Sequence, residues 1–160
     1  MTATQSYGMV DVAVAAFQHS ATTNLAFEDV ISTLREQIAM AGLWVLAEIN
    51  PQHFLQLGGY QPPALRQILF FHPDILAQLL ATDAAALVEA PLKFVVIEMP
   101  GGPVTVRWLD PEPNFTRYAS PAIAQIGARL AADCHRIIDH LVAITAPSNQ
   151  HKEGGKHDKR

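Results

Sequence analysis

The stretch that most constrains the fold is a pair of runs, LKFVVIEM (92–99) and PVTVRWL (103–109), joined across Pro100, Gly101 and Gly102. Both runs are rich in β-branched and aromatic residues, and a proline followed by two glycines supplies the turn, so they form a β-hairpin. A hairpin this apolar has to be covered on at least one face, which requires further strands beside it and helices above it.

The rest of the chain supplies both. LWVLAEI (43–49) is apolar at nearly every position and bounded by Gly42 and Pro51, the pattern of a buried strand, and RQILFF (66–71) reads as a strand stopped by His72-Pro73. Met9 to Phe17 is dense in valine and alanine and reads as a first strand, with QHSATTN as the loop that follows. Phe27, Val30, Ile31, Leu34, Ile38 and Ala41 fall on one face of a helix that Gly42 closes. Pro73 suits a first helical turn, with Asp74 favourably placed against the dipole, so 73–81 is a short helix. A long helix runs from Ala119 to Thr145, with Ile126, Leu130, Cys134, Ile137 and Leu141 along its apolar stripe. Residues 50–63 read as a loop. The expected order is β-α-β-β-α-β-β-α: an α+β fold with a mixed or mainly antiparallel sheet packed with helices on one face, a single-layer α/β sandwich. Residues 1–147 form one domain and 148–160 a flexible polar tail.

Nearly half of the 160 residues are apolar and 16% are charged, enough apolar surface to offset the entropy of ordering one core. The net charge is −4, but the last dozen residues carry four cations against two acids, so the body stands at −6. A body of that sign repels phosphate backbones, which argues against nucleic acid as a partner. The N-terminal apolar stretch lacks a basic region and is broken by Asp11, and no window reaches the eighteen uncharged apolar residues of a membrane span. A lone cysteine, Cys134, can form no internal disulfide and fits a reducing, cytoplasmic setting.

In order and spacing, NLAFEDVISTLREQIAMAGLWVLAEIN, RQILFFHPDILAQLL, EAPLKFVVIE and VTVRWLDP together resemble the domain of unknown function 302 family, over roughly residues 7 to 143. The resemblance implies a compact α+β domain that commonly self-associates, and it implies no settled activity. His72 stands where the family has asparagine before the proline. Phe71 and Leu92 stand where relatives carry cysteines, which removes support for a thiol mechanism.

Five residues are candidates for a ligand site. Lys93 is the only lysine before the tail and interrupts an apolar strand, so it either snorkels to an edge or meets an anion in a cleft. His72 can cap the helix that follows, touch a ligand, or bind a metal or haem iron. Glu48 and Glu98 each close an apolar strand and, if adjacent, would form a carboxylate pair with one raised pKa. Arg107 reads as an ion pair with Asp110 or as part of an anion site. His135 and Asp139 are spaced i, i+4 on the solvated face of the long helix. No phosphate loop, nucleophile elbow or HExxH is present. The expectation is a small-molecule binding module for an apolar, anionic ligand held near Glu48, His72, Lys93 and Glu98. The alternatives are an enzyme using Glu48 or Glu98 as base with Lys93 as stabiliser, and a haem or metal carrier through His72. Strands 43–49 and 92–99 are apolar on both faces and one layer of helices covers one of them, so a homodimer is expected.

Overall fold

A computed structural model describes residues 8–10 and 15–145. The tail expected at 148–160 lies outside the described residues. The elements are β1 (Gln18–Thr23), α1 (Phe27–Met40), β2 (Trp44–Ile49), α2 (Pro51–Leu57), β3 (Leu65–Phe71), α3 (Pro73–Thr82), a 3₁₀ turn (Ala84–Glu89), β4 (Leu92–Glu98), β5 (Val104–Leu109), α4 (Pro111–Phe115) and α5 (Pro121–Thr145). The five strands form one sheet in the order β1-β5-β4-β3-β2, and every pairing is antiparallel.

The hairpin sets the two faces of this sheet. Residues paired across an antiparallel ladder share a face and alternate along each strand. Ile68 and Phe70 of β3, Phe94 and Val96 of β4, and Val106 and Trp108 of β5 therefore form the inner face, all buried. Phe70 stacks on Phe94 at 4.6 Å between ring centroids, and Trp108 meets Phe94 edge-on at 5.9 Å. The apolar stripes of α1 (Val30, Ile31, Leu34, Ile38) and α5 (Ile123, Leu130, Ile137, Leu141) complete this core. The outer face carries Gln67, Leu69, Lys93, Val95, Ile97, Thr105 and Arg107, and neither long helix covers it.

Four helices begin the same way. Asn50, His72, Asp110 and Ser120 each precede a proline, and each side chain accepts a bond from a backbone N–H of the first turn: His53 N at 3.1 Å, Asp74 N at 3.1 Å, Glu112 N at 3.0 Å and Ile123 N at 3.4 Å. Proline at the first helical position loses no hydrogen bond there, so the pair of residues both starts and caps the helix. At the other end of α1, Gly42 at φ +75 lets Leu43 N reach Ile38 O and Gly42 N reach Ala39 O, both at 3.0 Å. This is a Schellman closure, and Leu43 and Ile38 are both buried beside it.

Two expectations are corrected. The first strand lies at Gln18–Thr23, in the segment read as a loop, rather than at Met9–Phe17, of which residues 11–14 lie outside the described residues. Its polar composition hides an edge strand: β5 supplies the ladder from Gln18↔Leu109 to Thr23↔Val104, and only His19, Ala21 and Thr23 face inward. The second is the loop at 50–63, which contains α2, started by the Asn50 cap.

Gly127 of α5 is where α4 docks. A Cβ at Gly127 would lie 2.5 Å from Phe115 Cβ and 3.4 Å from the Pro111 carbonyl oxygen. Replacing a helical glycine by alanine gains about 1 kcal/mol of propensity, but overpacking costs about 1–3 kcal/mol. Gly127→Ala is expected to lower the melting temperature by several degrees, measured by circular dichroism, and to loosen α4.

Candidate functional site

The sheet register brings two of the five candidate residues together on the outer face. Lys93 is paired with Leu69 on β3, and Arg107, two positions along on the β5 side, is paired with Val95. A cavity of about 360 Å³ opens beside Lys93, lined chiefly by Leu69, Val88, Leu92, Leu109, Asn114 and Phe115. A second, of about 250 Å³, continues past Lys93 and Leu109 to Val95, Arg107 and Gln18. The two share Lys93 and Leu109, so they form one groove along the open sheet.

The walls come from distant parts of the chain. The 3₁₀ turn contributes Val88 and Glu89, the cis Ala90-Pro91 bond leads into β4, and α4 contributes Pro111, Asn114 and Phe115. Glu89 is turned to Tyr118, whose hydroxyl donates to its Oε1 at 3.0 Å. Lys93 is exposed and forms no ion pair among the described residues. Arg107 donates to Gln18 Oε1 at 3.3 Å. A mostly apolar groove thus carries two cations, with its one acid directed to a tyrosine.

The other three candidates lie apart. Glu48 faces α1, where Arg35 donates to it through Nε and through Nη2 (2.8 Å to Oε2), and Arg66 Nη1 donates to Oε2 at 3.3 Å. The hydrogen bonds from Arg35 chiefly hold the Glu48 carboxyl below its ordinary range; burial, the next largest effect, opposes them, and the charge of Arg35 with the bond and charge of Arg66 adds to them. The raised carboxyl pKa expected of a carboxylate pair is therefore not found at Glu48. Glu98 ends β4 beside Met9, Gln61 and Pro63. His72 caps α3 through Nδ1, with the Trp44 ring edge-on at 5.5 Å. Among the described residues no three His, Cys, Asp or Glu side chains are grouped so as to hold a metal ion. The expected Arg107–Asp110 pair is also corrected: Arg107 faces the open sheet, whereas Asp110 caps α4 and lies 3.4 Å from His19 Nε2.

To the i, i+4 pair His135 and Asp139 on α5 the fold adds His19, which the sequence did not place there. His19 stacks on Trp108 at 5.1 Å, and His135 meets His19 edge-on at 4.7 Å, beside a hollow of about 470 Å³ that Asp139 also lines. His19 sat in a supposed loop, so nothing indicated that β1 would bring it to α5. This hollow holds imidazoles and an acid but no arginine or lysine, which makes it a poorer match for an anion than the groove at Lys93. Cys134, buried on α5, has its thiol pKa pushed up to about 12, chiefly by burial, and is an inert core residue at neutral pH.

Residues 19–141 match the family described as "Domain of unknown function DUF302". The chain belongs to this family. The fold also matches a crystal structure of an uncharacterized conserved DUF302 protein from Bacillus stearothermophilus, with a TM-score of 0.70 and 20% identity, over 78% of this chain and 98% of that one. No curated protein matches the chain in sequence. In this DUF302 chain His72 serves as the cap of α3.

Two outcomes follow from these contacts. His72→Asn keeps an acceptor at the α3 cap and is expected to leave stability within about 0.5 kcal/mol, whereas His72→Ala removes it and costs about 1 kcal/mol in urea unfolding. Because the folded pKa of Glu48 is depressed, its contribution is present above the unfolded pKa and is lost as pH falls through the folded one. Glu48→Gln is expected to cost about 1 kcal/mol at pH 7, and the gap to the native protein should shrink as the pH of the melt is lowered below the ordinary glutamate range.

Proposed function

We propose that this DUF302 chain is a small-molecule binding module whose ligand combines an apolar body with an anionic head. The observation that carries the reading is Lys93: an ammonium without an ion-pair partner among the described residues, set in the wall of an apolar groove. The body of the ligand lies against Leu92, Leu109 and Phe115, and the head meets Lys93, with Arg107 further along the groove. A lysine in such a wall attracts an anion as a mobile point charge, whereas the apolar lining favours whatever carbon skeleton fills it. Glu48, His72 and Glu98 have no part in this version of the site.

The module self-associates as a homodimer and works in the cytoplasm. Exposed apolar side chains on β2 and α2 support the first, and a single buried cysteine fits the second. Among the described residues, no helix is long and apolar enough to cross a membrane.

The test uses decanoate as the anionic probe and decanol as its neutral counterpart, with binding measured by isothermal titration calorimetry. Decanoate is expected to bind more tightly than decanol. Lys93→Met keeps most of the apolar stem and is expected to weaken decanoate about tenfold, as loss of one partly solvated charge-assisted contact worth roughly 1.5 kcal/mol requires, with decanol and the melting temperature unchanged. Equal binding of the two probes, or equal binding by Lys93→Met, would overturn the reading.

A further inference from the structure

The sheet was expected to self-associate through its open face, yet the longest run of exposed apolar side chains along the described chain lies elsewhere. On the open face Leu109 is 47% exposed, whereas Leu65, Leu69, Val95 and Ile97 are half-buried among their neighbours. Trp44, Val45, Leu46 and Ile49 of β2, with Phe54 and Leu57 of α2, are between 37% and 72% exposed. They occupy one continuous piece of chain at the β2 edge of the sheet.

That piece is unusual in three respects. The strand β2 pairs only with β3 among the described residues, so its outer edge offers unpaired backbone groups. Edge strands are normally guarded by charge, proline or a bulge; here no proline interrupts β2 and its one charge, Glu48, is turned to Arg35, which leaves as guard the register shift between Val45 and Ala47 that puts Leu46 out of the ladder. The seven-residue α2 buries none of its residues, although so short a helix depends on packing to persist.

We infer that the β2–α2 edge, centred on Leu46 and Leu57, is the surface through which two copies of this chain associate about a twofold axis. The inference rests on the proposed self-association and names its surface. Within residues 44–57 the only acid or base besides His53 is Glu48, and Arg35 and Arg66 already engage both of its oxygens. The patch is therefore electrically neutral on a body of charge −6, which makes it the place where two like-charged copies approach without repulsion. An uncharged apolar patch is also self-complementary, as a twofold contact requires. Its six large side chains expose roughly 600 Å², most of the ~800 Å² per partner in a standard interface. The groove at Lys93 lies on β4, β5 and α4 and stays open in such a dimer.

Sedimentation velocity on the full chain from about 1 to 100 µM tests this, with native protein, Leu57→Lys, the Leu46→Lys/Leu57→Lys double variant, and Val95→Lys on the open face; circular dichroism melts establish that each is folded. The expected result is a native dimer in the micromolar range, weakened at least tenfold by Leu57→Lys and a hundredfold by the double variant, and changed less than threefold by Val95→Lys. A native protein that stays monomeric at 100 µM overturns both self-association and this surface. A dimer that withstands both edge variants but dissociates in Val95→Lys overturns the surface alone and returns the contact to the open face.

Discussion

The alternation of the β4–β5 hairpin is the constraint on which the rest depends. One set of its side chains, Phe94, Val96, Val106 and Trp108, has to be removed from water, and α1 and α5 are the only long helices among the described residues available to do it. Once they are committed to that face, the intervening residues, Lys93, Val95, Ile97 and Arg107, are left on the other. Shifting β4 by one residue would bring Lys93 into the core and expose Phe94, and shifting β5 would do the same with Arg107 and Trp108, so the register is strongly determined. The position of the two cations is thus a by-product of burying the aromatics, and the groove follows from it.

Where periodicity sets burial, the sequence was legible. The stripe from Phe27 to Ala41, the stripe on α5 and the hairpin all fell where their spacing put them. The Gly42 closure was visible as well. What could not be seen was structure imposed by partners. QHSATT becomes β1 only because β5 presents an edge to it, and nothing within six polar and small residues announces that. The short helices α2 and α4 did leave a signal. Asn50-Pro51 and Asp110-Pro111 are the same cap-and-start device as His72-Pro73, which was read as a helix start because an apolar run follows it.

The same division holds for the candidate site. Lys93 and Arg107 stood out as charges within apolar strands, and their shared face follows from strand alternation. The cavity wall did not stand out, since Val88, Phe115 and Leu69 lie far apart along the chain. Glu48 looked equally available. It is engaged because Arg35 sits on the polar flank of α1 directly above it, and because Arg66 is shared between Glu48 and Glu28. A single acid at the end of a strand carries no mark of the arginine that a helix thirteen residues earlier will place over it.

Cys134 has a consequence of another kind. The chain has one thiol, 1% exposed between the sheet and the α5 core, with ionisation suppressed at neutral pH. A thiol-modifying reagent can react with it only after α5 has parted from the sheet, which is loss of the whole core rather than fraying of an edge. The unmodified protein therefore carries an internal clock: the rate of labelling reads the frequency of global opening, and no engineered label or added chromophore is needed to follow it.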